Sequence, residues 1–161
     1  SYLKAMTEVM HDYVHAQIQS GADCIQIFDS WGGMLDKDYE EFSLMYINEL
    51  AENIPSNIPI ILYTRGKTIE SIIESTSINC FNLDISDNID HHIDKSIAIQ
   101  GNFDPSKFHS DNDELEKLAE KIFEKYKNKN NYIFNLGSGI TPDIDPEKVG
   151  IFLEKLSGLS S

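Results

Sequence analysis

The chain has 161 residues, which suits one domain with a sizeable core. Its 13 Lys and Arg stand against 27 Asp and Glu, a formal net charge of -14. That balance argues against nucleic acid or an anionic membrane surface as a partner, because phosphate binding needs a basic stripe, and no apolar run is long enough to span a bilayer.

Residues 1–20 place Leu3, Met6, Met10, Tyr13, Val14 and Ile18 at helical spacing, and Gly21 stops the helix. Because Ser1 opens the chain with a helix already in progress and no signal-peptide pattern, we expect a piece of a longer protein. Residues 24–30 read as a strand. Asp36 is a candidate N-cap for a helix to about Asn53, with Tyr39, Phe42, Leu44, Tyr46, Ile47 and Leu50 on its faces. Pro55 breaks the chain, and Pro59 opens the strand Ile60–Tyr63. A short helix is expected near Thr68–Ser75, then a strand from Cys80 to Ile85 and a tight connection from Asp87 to Lys95. Ile97–Gln100 is the fourth strand. Asp111 or Asp113 caps a helix to Tyr126 that buries Leu115, Leu118, Ala119, Ile122 and Phe123. The fifth strand covers 132–136, and Asp145-Pro146-Glu147 starts the last helix. This β/α alternation with apolar strands predicts an α/β fold with a parallel sheet covered by helices.

Cys24 and Cys80 each begin a strand, and their spacing fits no zinc or redox motif. Both read as buried small hydrophobes in a reducing compartment, and a cytoplasmic location is expected. His11 and His15 have i, i+4 spacing but no accompanying carboxylate or Cys motif, and His91-His92 point different ways on any helix. No metal site is expected.

Three strands share one grammar. Ile25-Gln26-Ile27-Phe28-Asp29-Ser30-Trp31-Gly32-Gly33, Ile97-Ala98-Ile99-Gln100-Gly101-Asn102-Phe103-Asp104-Pro105 and Phe134-Asn135-Leu136-Gly137-Ser138-Gly139-Ile140-Thr141-Pro142 each run from apolar residues into polar ones and glycine. Strand ends of this kind carry ligands in α/β proteins. Together these motifs resemble the uroporphyrinogen decarboxylase family, across essentially the whole chain and in the right order. The match is to the C-terminal portion only, so residues 1–161 are expected to form the C-terminal part of a single domain. The resemblance implies a partial (β/α)8 TIM barrel with about five parallel strands and outer helices.

The resemblance also implies an activity: removal of the four acetate carboxyls of uroporphyrinogen III as CO2, giving coproporphyrinogen III in haem biosynthesis, with no metal or organic cofactor. It implies a tetrapyrrole substrate and a homodimer for the full-length protein. Ser30 matches a hydroxyl residue that contacts substrate. Ser138 stands where the family has a histidine helping to bind the acidic side chains, and serine cannot carry its charge. The family's catalytic Asp, Arg-rich motif and Tyr lie in N-terminal strands that this sequence lacks, so its catalytic residues are expected in that missing part and the 161 residues alone are expected to be inactive. Related zinc methyltransferases use His-x-Cys and a later Cys. Here Tyr63-Thr64-Arg65 and Gly137-Ser138-Gly139 provide no thiol.

Arg65, the single arginine, with Lys67 nearby, reads as a solvated loop cation or as a local positive field for carboxylates. Asp84 reads as a cap or as a pocket residue. Ser30, Ser138 and Asp84 are expected on one face. The first and fifth strands are expected at opposite sheet edges, with a concave face that exposes an apolar patch. Two other readings are open: a non-catalytic homologue or scaffold that binds an acidic ligand, and a phosphate-binding barrel enzyme.

Overall fold

The structure, a computed structural model, describes residues 2–66, 69–92 and 96–160. Helix α1 covers Tyr2–Gln19 and leads into strand β1, Ile25–Asp29. Helix α2 covers Met45–Glu52, and strands β2, β3 and β4 cover Ile60–Thr64, Cys80–Asn82 and Ala98–Gln100. Helix α3 is Asn112–Tyr126, β5 is Tyr132–Ile133 and α4 is Pro146–Leu159. The strands form one sheet in the order β1-β2-β3-β4-β5, every pair parallel. Chain order and sheet order coincide, so each crossover steps one strand in the same direction. This is an α/β fold, a partial (β/α)8 TIM barrel with outer helices, and β1 and β5 lie at its two edges as expected.

Strand alternation divides each strand between two environments. Leu62, Phe81, Leu83 and Ile99 project outward against Leu44 and Ile47, each 9% exposed or less. A second cluster joins Phe108, Leu115, Ala119 and Phe152 where α3 meets α4. A third joins Val14, Ile25, Leu50 and Ile54 under α1 and α2. Burying each large side chain contributes about 1.5–3 kcal/mol.

The caps are as read. Asp111 accepts from the Glu114 N–H at 2.8 Å, and Asp145 accepts from the Glu147 N–H at 2.9 Å with Pro146 next. Several boundaries differ. The expected helix from Asp36 is instead a 3-10 segment Gly32–Asp38, a π turn Glu40–Leu44 and then α2. Asp36 has φ 45°, so it is a corner and not an N-cap. The expected helix near Thr68–Ser75 is two short 3-10 turns, Ile69–Ser71 and Ile73–Ser75; Lys67 and Thr68 lie outside the described residues, as does the end of the 87–95 connection at Lys95.

Three burial expectations are corrected. Helix α1 buries Thr7 and Val14, whereas Met6, Met10 and Tyr13 are exposed, because α1 sits at the edge of the sheet and meets α2 on one side only. Cys80 is buried but Cys24 is exposed, since it precedes an edge strand with no neighbour beyond it. The concave face is not an apolar patch. Among the described residues the large exposed hydrophobics of the strands on that face are Phe28 and Ile133, and the amides Gln26, Asn82 and Gln100 share it with Ile61, Tyr63, Cys80 and Ala98.

Candidate functional site

At the carboxyl ends of the strands a cavity of about 700 Å³ opens on the concave side. Phe28 and Ser30 come from the end of β1, Tyr63 and Arg65 from the end of β2, and Asn82 from β3. Asn135, Leu136, Gly137, Ser138, Gly139 and Thr141 follow β5. The fold therefore brings Ser30 and Ser138 into one cavity, though 107 positions of chain separate them.

The β1 loop is held by a half-buried polar knot. Asp29 accepts from the Gly32 N–H at 3.0 Å and from the Ser43 hydroxyl at 2.8 Å. Burial first, and the Asp29 carboxylate second, push the Tyr39 phenol above its usual range. Gly33 lies against the β2 loop so closely that a Cβ there would stand 1.9 Å from the Arg65 carbonyl oxygen. Gly33 thus joins the β1 and β2 loops, while Ser30 lines the cavity and Trp31 is exposed.

The β5 loop works differently at its two glycines. A Cβ on Gly137 would come within 2.7 Å of the Ile85 N atom, so this position needs glycine for backbone contact with the end of β3. A Cβ on Gly139 would meet nothing within 4 Å. Ser138 sits between a packed glycine and an open one. Neither the Ser30 nor the Ser138 hydroxyl has a protein partner among the described residues.

Arg65 lines the cavity and makes no ion pair among the described residues. Arg65 thus puts a positive charge beside two hydroxyls without protein partners among the described residues, a combination whose chemistry suits an anionic group. Arg65 is exposed as well as lining the cavity, so the structure leaves both readings of its sequence open.

Asp84 stands on the same side of the sheet but turns inward to the protein. Its carboxylate accepts from the Ser86 N–H at 3.2 Å and the Ser86 hydroxyl at 3.1 Å. Burial first, and the nearby Asp84 carboxylate second, raise the pKa of the Tyr63 phenol. Asp84 thus closes a local turn onto Ser86 and does not cap the next helical turn, Ile89–His91, whose N-cap is Asn88. The Asn102-Phe103-Asp104-Pro105 motif is structural as well. Asn102 donates to the carbonyls of Asp84 and Asp87 at 2.7 and 2.8 Å, Phe103 packs on Phe108 and Phe152, and Asp104 caps Ser106. Of the three strand ends with one grammar, two reach the cavity.

Sequence reading passed over Tyr63, Asn82 and Asn135. The available signal was period two: Gln26, Asn82, Gln100 and Asn135 are amides set in otherwise apolar strands, and strand alternation sends them to the concave side. Elsewhere the histidines are engaged singly. His92, 2% exposed, has Nε2 3.2 Å from Glu70 Oε1, and His109 pairs with Asp143 at 3.2 Å. Among the described residues no group of three His, Cys, Asp or Glu side chains is placed to hold a metal ion, and no helix is long and apolar enough to cross a membrane.

Comparison with known proteins places this geometry. The model of a family described as Uroporphyrinogen decarboxylase (URO-D) matches residues 1–158. A protein of Hydrogenovibrio crunogenus named uroporphyrinogen decarboxylase is 38% identical over 98% of this chain and 48% of its own length. A protein of Pseudoalteromonas translucida with the same name is 35% identical over 99% of this chain and 48% of its own. The chain spans about half the length of the curated relatives it matches. A solved methyltransferase from Methanosarcina mazei has a TM-score of 0.73 and 18% identity, over 96% of this chain and 48% of that one, a likeness of fold alone.

Proposed function

The chain belongs to the uroporphyrinogen decarboxylase family, and we propose that residues 1–161 form the C-terminal part of its single barrel domain and one wall of a pocket for uroporphyrinogen. In this reading the substrate is a tetrapyrrole whose acetate carboxyls leave as CO2 to give coproporphyrinogen. Ser30 and Ser138 hydrogen-bond its carboxylates, and Arg65 supplies the positive field. The rings of Phe28 and Tyr63, with centroids 5.9 Å apart, offer apolar surface to the macrocycle. The observation that carries the reading is Arg65 sharing one cavity with two hydroxyls, none of the three with an ion pair or side-chain hydrogen bond among the described residues.

Loss of CO2 leaves an electron pair that the pyrrole must accept, and protonation of the ring makes that acceptance favourable. Among the described residues that line the cavity there is no carboxyl group, thiol or imidazole to hand over that proton. The proton-handling groups belong, in this proposal, to barrel strands outside these residues, and the whole enzyme is a cytoplasmic homodimer without a cofactor. The 161 residues alone bind the substrate class but do not turn it over. Separate assays test the two halves of the statement: uroporphyrin binding followed by fluorescence, and coproporphyrinogen formation from uroporphyrinogen. Binding without turnover is expected. Turnover above background by the purified chain would overturn the assignment of catalysis to other strands.

A second reading, a non-catalytic chain that binds an acidic ligand, has one observation in its favour: Ser138 supplies an uncharged hydroxyl where the family resemblance puts a histidine. In a full-length family enzyme carrying this wall, Ser138→His should tighten binding of the acidic substrate. Unchanged KM and kcat would speak against a substrate role for that position.

A further inference from the structure

Asn82 is 6% exposed and Gln100 is 5% exposed, an unusual depth for two amides in one parallel sheet. Asn82 Oδ1 accepts from Gln100 Nε2 at 2.6 Å and from Asn135 Nδ2 at 2.9 Å. Both lone pairs of that oxygen are used, so the amide has one orientation; turned over, it would set donor against donor. Its own Nδ2 donates to the Leu83 carbonyl at 3.2 Å. Gln100 continues the chain to Gln26 Oε1 at 3.0 Å on the far edge strand. One side chain on β3 thereby ties β4 and the segment after β5 together.

The consequence falls on the β5 loop. Asn135 Oδ1 accepts from the Leu136 N–H at 2.8 Å, so the group that Asn82 grips also fixes the first peptide of the turn. On its other side the same segment is tied to Phe103: the Phe103 N–H donates to the Asn135 carbonyl at 3.1 Å, and the Gly137 N–H donates to the Phe103 carbonyl at 2.9 Å. Gly137 then rests on Ile85. Ser138 is the first residue past these ties, and its hydroxyl direction is set by where they end.

We infer that Asn82 is a positioning residue: through Asn135 it sets the Gly137-Ser138-Gly139 turn and so aims the Ser138 hydroxyl into the cavity. The inference rests on the reading of that cavity as the site for a carboxylate-rich tetrapyrrole. Removing the Asn82 acceptor leaves the half-buried Asn135 amide donor unpaired, and it will turn away to find another partner, carrying Leu136 N–H with it. Gln100 provides the control. Gln100→Met removes a hydrogen bond from the same oxygen but leaves the Asn135 tie in place.

The test is a double-mutant cycle on uroporphyrin affinity in the 161-residue chain. Ser138→Ala alone should weaken binding about fivefold, the size of one hydrogen bond. In an Asn82→Leu background, or with Asn82→Ser should the leucine variant not fold, Ser138→Ala should change affinity less than twofold, because the hydroxyl is already misdirected. In a Gln100→Met background the full loss should persist. An undiminished Ser138→Ala effect in both Asn82 variants would overturn the inference. Amide NMR shifts judge it without any ligand: Ser138 and Gly139 should move in the Asn82 variants and stay in Gln100→Met, and resonances unmoved by Asn82 substitution would equally overturn it. If the wild-type chain binds no uroporphyrin, the pocket reading fails, and the NMR comparison still decides the role of Asn82.

Discussion

The two faces of the sheet obey opposite rules. Outside, Leu62, Phe81, Ile99 and Phe152 are each 1% exposed or less and are covered by helices. On the concave face the same strands alternate to Gln26, Asn82, Gln100 and Asn135, joined by side-chain hydrogen bonds of 2.6–3.0 Å. Non-directional burial holds the outer face, and it tolerates changes of shape better than changes of volume. Directional bonds hold the inner face, so it tolerates neither loss of an acceptor nor a turned amide. Apolar packing is therefore concentrated outside, and the amide network inside.

The largest effect should come from the outer face. Phe152 is fully buried and stacks near Phe103, Phe108 and Phe134. Phe152→Ala should cost about 3–5 kcal/mol in urea unfolding. A loss near zero would mean that the α3–α4 cluster is not a core.

The two glycines of the β5 loop sharpen the contrast at the rim. Gly137→Ala places a methyl 2.7 Å from the Ile85 N atom and should destabilise by about 1–3 kcal/mol. Gly139→Ala meets nothing within 4 Å and should stay within about 0.5 kcal/mol. Equal effects would remove the distinction between a packed and an open glycine. On the inner face, Ser30→Ala should likewise leave the melting temperature within a few degrees while weakening uroporphyrin binding several-fold. A large drop in stability with unchanged binding would reverse the assignment.

The smallest effect concerns the thiols. Burial pushes the Cys80 thiol up to about 11 from a reference of 9.0, with a lesser contribution from Cys24. The folded state thus holds its proton where the unfolded state has lost it, and stability should fall as pH rises from roughly 9 to 11. Cys80→Val should flatten that part of the pH profile. At pH 8 a thiol reagent should modify exposed Cys24 first and Cys80 only on unfolding. Equal rates would contradict the burial of Cys80.

The legible part of this fold in sequence was the part written in long patterns. Apolar strands, the Asp111 and Asp145 caps and the β/α alternation give the parallel sheet and its strand order. Less legible were segments governed by contacts distant in sequence. Met10 and Tyr13 of α1 fit a core stripe by spacing, and only the missing neighbour beyond β1 explains their exposure. Gly33 reads as part of a polar strand end, yet it answers to Arg65, over 30 residues away. Ser30 and Ser138 were singled out and share the cavity. Asn82 was not, because a lone amide in Cys80-Phe81-Asn82-Leu83 acquires meaning only when its partners on two other strands are placed beside it.

The most direct test of the pocket is a comparison of two porphyrins that differ in carboxylate number. Uroporphyrin carries eight carboxylates and coproporphyrin four. Titrated into the 161-residue chain, uroporphyrin should bind the more tightly, and Arg65→Ala should weaken it about tenfold or more while leaving coproporphyrin much less affected. An Arg65→Ala chain that still prefers uroporphyrin by the wild-type margin would contradict the claim that Arg65, Ser30 and Ser138 form a carboxylate-binding wall.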